Sequence, residues 1–378
     1  MDADVAVVGG GIVGSSVAYH VASRSDRDVV MFERADRLAG ETTAKSNAMF
    51  RMTGSAQERR MKRYGLSVYN HFLAEPAVEH DVDPLYERVD RIEVATSESS
   101  AASLHERAES GVGRALEPEA IPEHVLFPEL RREPIEAALL LPGAVRLEPR
   151  ALAREFAARA RAAGARLELG TAVRDVLATG GEVAGIETDN GRIDADVVVS
   201  AAGPNNRDVA AMAGVDLPLR HTLGPILDVH PESLGHALPN LKHDDSGVYY
   251  TGRGNGTVMI GRAGGGWDRA KHRDLADLDE SRVPDDLRET MDETARTLLP
   301  ALALDTVDHR DEWVGLVSKT PDGEPIIGLT DVEGFAVAAF NSEGIQLAPA
   351  AGRILAEQVV DGRPPSDYPH ITPGRFDA

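Results

Sequence analysis

The chain has no cysteine in its 378 residues. That excludes disulfides, thiolate metal sites, a cysteine nucleophile and any cofactor tethered through a thioether. Lysine is also scarce. Lys45, Lys62, Lys242, Lys271 and Lys319 are the only lysines among 40 basic residues, set against 62 Asp and Glu for a net charge of −22. So acidic a surface repels phosphate backbones and anionic lipid, which argues against nucleic-acid or membrane-surface partners. Excess carboxylate with little lysine suits a protein soluble in concentrated salt, where screening removes self-repulsion; an ordinary acidic cytosolic enzyme is the alternative. No apolar run approaches the ~20 residues that span a bilayer. Val5–Val8 is too short for a signal-peptide core, so a soluble cytoplasmic protein is expected. Aromatic residues make up only 4%, but 42% of the chain is hydrophobic, enough to bury a sizeable core. The length suits two lobes.

What is present begins with a βαβ pattern. Asp4–Val8 is apolar, Gly9–Gly14 interrupts it, Ser15–Ser23 has helical spacing, and Val29–Phe32 is a second buried strand ending at Glu33. Strands without polar alternation argue for a parallel sheet covered on both faces. A second α/β stretch opens with a helix at Pro149 that closes at Gly164, followed by a strand at Leu167–Leu169. Thr171–Leu177, Glu182–Thr188 and Gly191–Asp194 read as antiparallel strands turning at Gly180-Gly181 and Asn190-Gly191, and Val197–Gly203 as a buried strand. The C-terminal stretch has a turn at Thr320–Pro325, a strand at Phe335–Ala339 and a helix from Ile345 to Val360. The expected fold is α/β: a Rossmann-like unit of residues 1–81, 146–215 and 317–378. A second, α+β unit of residues 82–145 and 216–316 is inserted into it on a mixed or antiparallel sheet.

Gly9-x-Gly11-x-x-Gly14 lies between the first strand and helix, and Glu33 follows at dinucleotide spacing. The first glycine permits the tight turn, the second admits a pyrophosphate to the backbone, and the third allows close helix–strand packing. The helix N-terminus offers unpaired N–H groups to phosphate, and Glu33 can accept bonds from both ribose hydroxyls. Three dispersed contact regions, at Gly9–Gly14, Val197–Gly203 and Gly344–Gln346, favour the longer FAD over NAD.

The sequence resembles the FAD-dependent D-amino-acid oxidase superfamily, in its sarcosine oxidase, glycine oxidase and D-amino-acid dehydrogenase branch. The resemblance is carried by Ala6–Gly14, Glu33-Arg34, Thr42–Ala48, Val197–Gly203, Thr320–Gly328 and Gly344–Pro349. It implies non-covalent FAD held at Gly9, Gly11, Ile12, Val13, Gly14, Glu33 and Arg34. Thr43, Ala44 and Ser46 would lie over the pyrophosphate, Val173 at the adenine and Ala202-Gly203 nearby. The N–H groups of Gly344, Ile345 and Gln346 would face the flavin N1–C2=O edge. The implied reaction oxidises the C–N bond of a small amine or amino acid by hydride transfer to flavin N5. Arg51 would bind the substrate carboxylate, and Tyr249, Tyr250 and Gln346 would line the pocket.

Three departures from the family pattern matter. Val317 stands where amino-acid-binding relatives often have arginine, and neither Lys319 nor Arg262 obviously replaces it. Met259 stands where sarcosine oxidases have a lysine, which favours a dehydrogenase with an unidentified acceptor. The third is the missing cysteine, which some relatives use to bond the flavin. The alternatives are a hydroxy-acid or polyol dehydrogenase, a flavin-bearing subunit of a larger electron-transfer complex, or an NAD-binding module. No metal site is expected, since His230, His236 and His243 are irregularly spaced. Glu58–Arg63, Asp244-Asp245 and residues 274–293 read as solvated surface, and Gly264–Trp267 as a flexible loop that could serve as a lid.

Overall fold

The computed structural model describes residues 2–81, 85–122, 130–232, 238–273 and 275–376. Asp2–Val8 pairs in parallel with Val29–Glu33 on one side and Gly191–Ser200 on the other. The two hydrogen-bonded flanks leave only the faces to bury, and both are buried. Val5, Val7, Val29 and Met31 point to the layer formed by the helices Ile12–Ala22, Pro149–Ala162 and Gly344–Val359. Ala6, Val8, Val30 and Phe32 point to the other face, under the short helix Asn206–Met212. This two-sided burial accounts for the absence of polar alternation in these strands.

Among the described residues this first sheet runs Ile326–Leu329, Phe335–Ala339, Gly191–Ser200, Asp2–Val8, Val29–Glu33, Arg166–Leu169, with the Val173–Thr179 and Glu182–Thr188 hairpin attached to Gly191–Ser200. Gly191–Asp194 and Val197–Gly203, expected as two strands, form one that ends at Ser200. Gly191–Asp194 pairs antiparallel with the hairpin and Asp194–Ser200 runs parallel beside Asp2–Val8, so the two ladders meet at Asp194 and the strand continues through Ala195-Asp196. The first helix begins at Ile12 rather than Ser15, directly on the glycine turn.

The second sheet runs Val307–Lys319, Arg220–Pro231, Val258–Arg262, Val248–Gly252, Asn240–His243, Tyr86–Ala95, Ala137–Leu147, Met49–Phe50, with Arg114–Leu116 beside Ala137–Leu147. Neighbours are antiparallel except Asn240–His243 with Tyr86–Ala95. Met49–Phe50 pairs with Val145 and Arg146, so the chain leaving the glycine-rich lobe joins the second sheet at once. One face of this sheet packs Ile92, Leu241, Tyr250 and Ile260 against the amphipathic helix Asp285–Leu298. That helix buries Met291, Ala295 and Leu298, so the 274–293 region is only partly solvated surface. Residues at alternate positions face the other way, toward the first sheet.

The helix Ala56–Ala74 corrects a second surface expectation. Met61 and Lys62 are buried on it, in line with Gly65, Tyr69 and Phe72. The i+3/i+4 series carries Lys62 onto the inward stripe despite the charges around it. Its ammonium contacts Glu343 and donates to the Thr53 carbonyl at 2.7 Å. Gly65 sits so near the C-terminal helix that a Cβ there would lie 2.7 Å from the Gln346 carbonyl oxygen, and the Tyr69 hydroxyl donates to the Ile345 carbonyl.

No helix of the described residues is long and apolar enough to cross a membrane. The tightest crossing joins the first and last helices. A Cβ on Gly352 would fall 2.5 Å from Ser16 Oγ and 2.6 Å from the Ser16 carbonyl oxygen, and Ser16 Oγ donates to the Ala348 carbonyl at 2.8 Å. Gly352→Val should therefore destabilise the protein by about 2 kcal/mol, the usual cost of overpacking. Chemical denaturation reads this as a lower midpoint, and an unchanged midpoint would contradict the crossing.

Candidate functional site

The two sheets enclose one large cavity of about 630 Å³. Its floor is the glycine turn. Gly9 has φ +112°, and a Cβ there would meet the Ala201 carbonyl oxygen at 2.5 Å. A Cβ on Gly14 would lie 1.8 Å from the Gly9 oxygen, so Gly14 packs helix against turn and does not line the cavity. Gly9, Gly11, Ile12 and Val13 do line it. No side chain caps the helix that starts here; Thr43 Oγ1 only accepts from the Ile12 N–H at 3.2 Å. Glu33 closes the second strand, its carboxylate accepting from the Gly10 and Ala35 N–H groups at 2.7 and 2.8 Å. Arg34, Thr43, Ser46, Val173, Ala202 and Gly203 also reach the cavity. Ala44 does not. Its N–H donates to the Glu41 carbonyl in a local turn, which leaves Thr43 and Lys45 at the wall.

At the far end the helix Gly344–Val359 begins, again with no side-chain cap, and Gly344, Ile345 and Gln346 line the cavity. Gln346 is buried, its Oε1 accepting from the Arg51 N–H at 2.8 Å. A glycine cradle, an acid at the second strand end and two bare helix N-termini on one elongated cavity are what a dinucleotide requires at its phosphates, ribose and electron-accepting ring. The residues present fit FAD.

The roof lies on a row of directly paired residues of the second sheet, Glu93, Lys242, Tyr249, Gly261, Ile226 and Trp313, of which Lys242, Tyr249 and Ile226 line the cavity. Tyr249 lies across Gly261, where a Cβ would fall 2.3 Å from its ring. Tyr250, expected beside it in the pocket, faces the opposite side. It is fully buried in the second core, because adjacent strand residues point to opposite faces. Val317 reaches the cavity wall, paired to Thr222, whereas Met259 lies off it. Lys45, Lys319 and Arg262 are at the wall, so a missing lysine at position 259 does not empty the site of cations. The Gly264–Trp267 loop touches the cavity at Gly264 but is fastened down. Arg220 stacks on Trp267 at 4.3 Å, and His221 and Lys271 exchange backbone hydrogen bonds.

The charged pair that the sequence reading missed is Arg91 and Glu93. Ile92 and Val94 belong to the core, so by alternation Arg91 and Glu93 face the cavity side, 2% and 1% exposed. Arg91 Nε donates to Glu93 Oε1 at 3.2 Å, and Arg107 Nη2 donates to Glu93 Oε2 at 2.6 Å. Arg51 stands 3.7 Å from Glu93 and 3.5 Å from Glu343. Burial and the neighbouring Arg51 charge pull Arg91 down to about 10. Burial would raise Glu93, but Arg91, Lys242, Arg107 and Arg51 outweigh it and hold the carboxyl at about 2. Burial pushes the Tyr249 hydroxyl up to about 12 against the pull of Arg91 and Arg51. Burial also lowers Lys319, whose Nζ donates to Ser342 Oγ at 2.6 Å. Of the three irregular histidines, His243 is bound to Thr96 and Ser246, and His236 lies outside the described residues. Asp244 and Asp245 are engaged rather than merely solvated: Asp244 pairs with Lys242, and Asp245 accepts from the Thr96 N–H at 2.8 Å.

The profile of a family described as FAD dependent oxidoreductase, DAO, matches residues 4–358. The 4-methylaminobutanoate oxidase (formaldehyde-forming) of Paenarthrobacter nicotinovorans is 27% identical over 390 residues, covering 98% of this chain and 45% of that protein. The chain therefore spans less than half the length of that relative. The glycine oxidase of Bacillus subtilis (strain 168) is 25% identical over 379 residues, covering 97% of this chain and 95% of that one. Among solved structures, the L-proline dehydrogenase from P. horikoshii superposes with a TM-score of 0.83 over 100% of this chain and 98% of its own, a likeness of fold at 22% identity.

Glu93 is ionised in the fold well below the ordinary carboxyl range. Its contribution is thus complete above about pH 4.5 and fades as the pH falls toward 2. Glu93→Gln should cost about 3 kcal/mol near neutral pH, because it leaves buried guanidiniums unpaired. The gap to the unmodified protein should narrow on acidification through that window. A gap that stays constant with pH in denaturation curves would contradict the assigned ionisation.

Proposed function

The chain belongs to the DAO family of FAD-dependent oxidoreductases, and from that premise we propose that it oxidises the C–N bond of a small amine or amino acid. Sarcosine-like N-alkyl amino acids lead and D-amino acids follow. The observation that carries this reading is Arg51. It is half-buried on the cavity wall beside the start of the last helix, with its Nε buried and unpartnered. A guanidinium so placed is an anchor for a substrate carboxylate.

FAD supplies the acceptor for the two electrons and the hydrogen leaving the carbon beside nitrogen, and water hydrolyses the resulting imine. The protein's tasks are binding and orientation. The N–H groups of Gly11 and Val13, at the glycine turn on the cavity wall, would hold the pyrophosphate and Glu33 the ribose. The start of the last helix would direct partial positive charge to the flavin edge where electron density accumulates. Gln346 fixes the Arg51 backbone, and Lys62 and Arg51 flank Glu343 at the helix start. Tyr249 keeps its proton up to about pH 12, so it can donate a hydrogen bond to substrate but cannot serve as a base. Among the described residues no histidine lines the cavity. A monocarboxylic and a dicarboxylic amine are both compatible with these roles.

The test is an anaerobic titration of the FAD-loaded protein with N-methyl amino acids, D-amino acids, hydroxy acids and polyols, followed by air. The expected result is bleaching of the flavin's visible band by an amine class, with an imine-derived carbonyl product; bleaching by a hydroxy acid alone would overturn the reading. The rate of recovery in air then separates an oxidase from a dehydrogenase. Arg51→Ala should raise KM roughly 10–100-fold, the worth of a charge-assisted hydrogen bond, with FAD still bound.

A further inference from the structure

Arg91 has no role in the account so far, yet it is the most thoroughly buried cation on the cavity wall. Its Nε is engaged by Glu93, and its Nη1 is buried with no partner. A guanidinium presents five donors and cannot shed its charge, so an idle buried Nη1 at a cavity is a position prepared for an acceptor that arrives with the ligand. The local charges say which acceptor. Among the described residues, the ion-pair network that reaches this wall through Arg51, Arg91, Lys242 and Glu343 joins five cations, Arg51, Arg91, Arg107, Lys242 and Lys62, to three carboxylates, Glu93, Asp244 and Glu343. Glu93 is shared by three guanidiniums, and Asp244 by Arg107 and Lys242. Cations exceed carboxylates there, inside a protein whose net charge is −22.

A substrate reacting with its amine neutral brings one negative charge if it is monocarboxylic and two if it is dicarboxylic. Only the second balances the network. We propose that Arg91 binds a second carboxylate, and that the site selects dicarboxylic secondary amines: N-substituted amino acids bearing a further acid group. This deepens the reading of Arg51 as the first anchor and rests on it. Lys242, directly across from Glu93 on the neighbouring strand and paired to Asp244, also lines the cavity and adds to the field. The desolvated, repelled state of Arg91 is relieved when the second carboxylate arrives, so the stabilisation is largest for the dianion.

The experiment uses the FAD-loaded protein and two probes that no amine oxidation consumes, glutarate and valerate, which share a carbon skeleton and differ in one terminal carboxylate. Perturbation of the flavin's visible spectrum reads binding. Glutarate should bind at least ten-fold tighter than valerate, and in Arg91→Gln this preference should collapse to under three-fold with the valerate Kd unchanged. Equal affinities in the unmodified protein would overturn the proposal, with no variant needed. So would absence of glutarate binding, or an equal loss for both probes in Arg91→Gln, which would place Arg91 on the first carboxylate beside Arg51. If Arg91→Gln does not fold, Arg91→Lys, which keeps the charge but loses the fork, should retain part of the preference. Failure of the amine reading shows separately, as a flavin that no amine bleaches.

Discussion

Two helices cross at Gly352 and Ser16, and the site depends on that crossing. The absence of a side chain on Gly352 lets the first and last helices approach to backbone contact. Their N-termini then open on a single cavity, one above the glycine turn and one at Gly344. Neither end is capped by the side chain of its N-cap residue, and at the first only the Ile12 N–H is taken, by Thr43 Oγ1. Unpaired N–H groups and the positive end of each dipole are therefore left for a ligand, at opposite ends of an elongated space. The helix Ala56–Ala74 holds this arrangement from behind through the close approach at Gly65, the Tyr69 bond to Ile345 and the buried Lys62 against Glu343. Buried charge of this kind is seldom the cheapest way to stabilise a fold. Here it fixes the loop that starts the last helix.

The electrostatics divide by location. The outer surface is acidic, while the wall shared by the two sheets gathers Arg51, Arg91 and Lys242. A carboxylate entering this cavity leaves a repulsive exterior for an attractive, partly desolvated interior, where each charge counts for more than in water. Glu93 makes the wall tolerable without a ligand by accepting from Arg91 and Arg107 together. The same sharing leaves each guanidinium short of partners, which is the condition for strong anion binding.

Much of this was legible in the sequence where the determinants are local. A glycine turn between a buried strand and a helix, followed by an acid at the next strand end, specifies its own geometry, and the structure places Gly9, Gly11 and Glu33 on the cavity. The bare helix start at Gly344 was readable for the same reason. What failed required knowing which way a face points. Tyr249 and Tyr250 carry the same side chain, and only the second sheet's orientation sends one to the cavity and the other to the core. Lys62 looked solvated because its neighbours are charged, although its helical spacing to Gly65 and Tyr69 marked it as inward. Arg91-Ile92-Glu93-Val94 alternates as a half-buried strand should, but the polar side is the enclosed one, and no local signal distinguishes an enclosed polar face from a solvated one. The fused strand Gly191–Ser200 was hidden because its two halves have different partners.

The central claim is that this cavity holds FAD by packing, dipoles and hydrogen bonds alone. The chain has no cysteine, and no histidine among the described residues lines the cavity. The most direct measurement is the visible absorption of the purified protein before and after acid precipitation. The account predicts a yellow protein that yields a colourless pellet and releases FAD to the supernatant. A protein that is colourless and takes up no added FAD, or a pellet that retains the flavin, would contradict it.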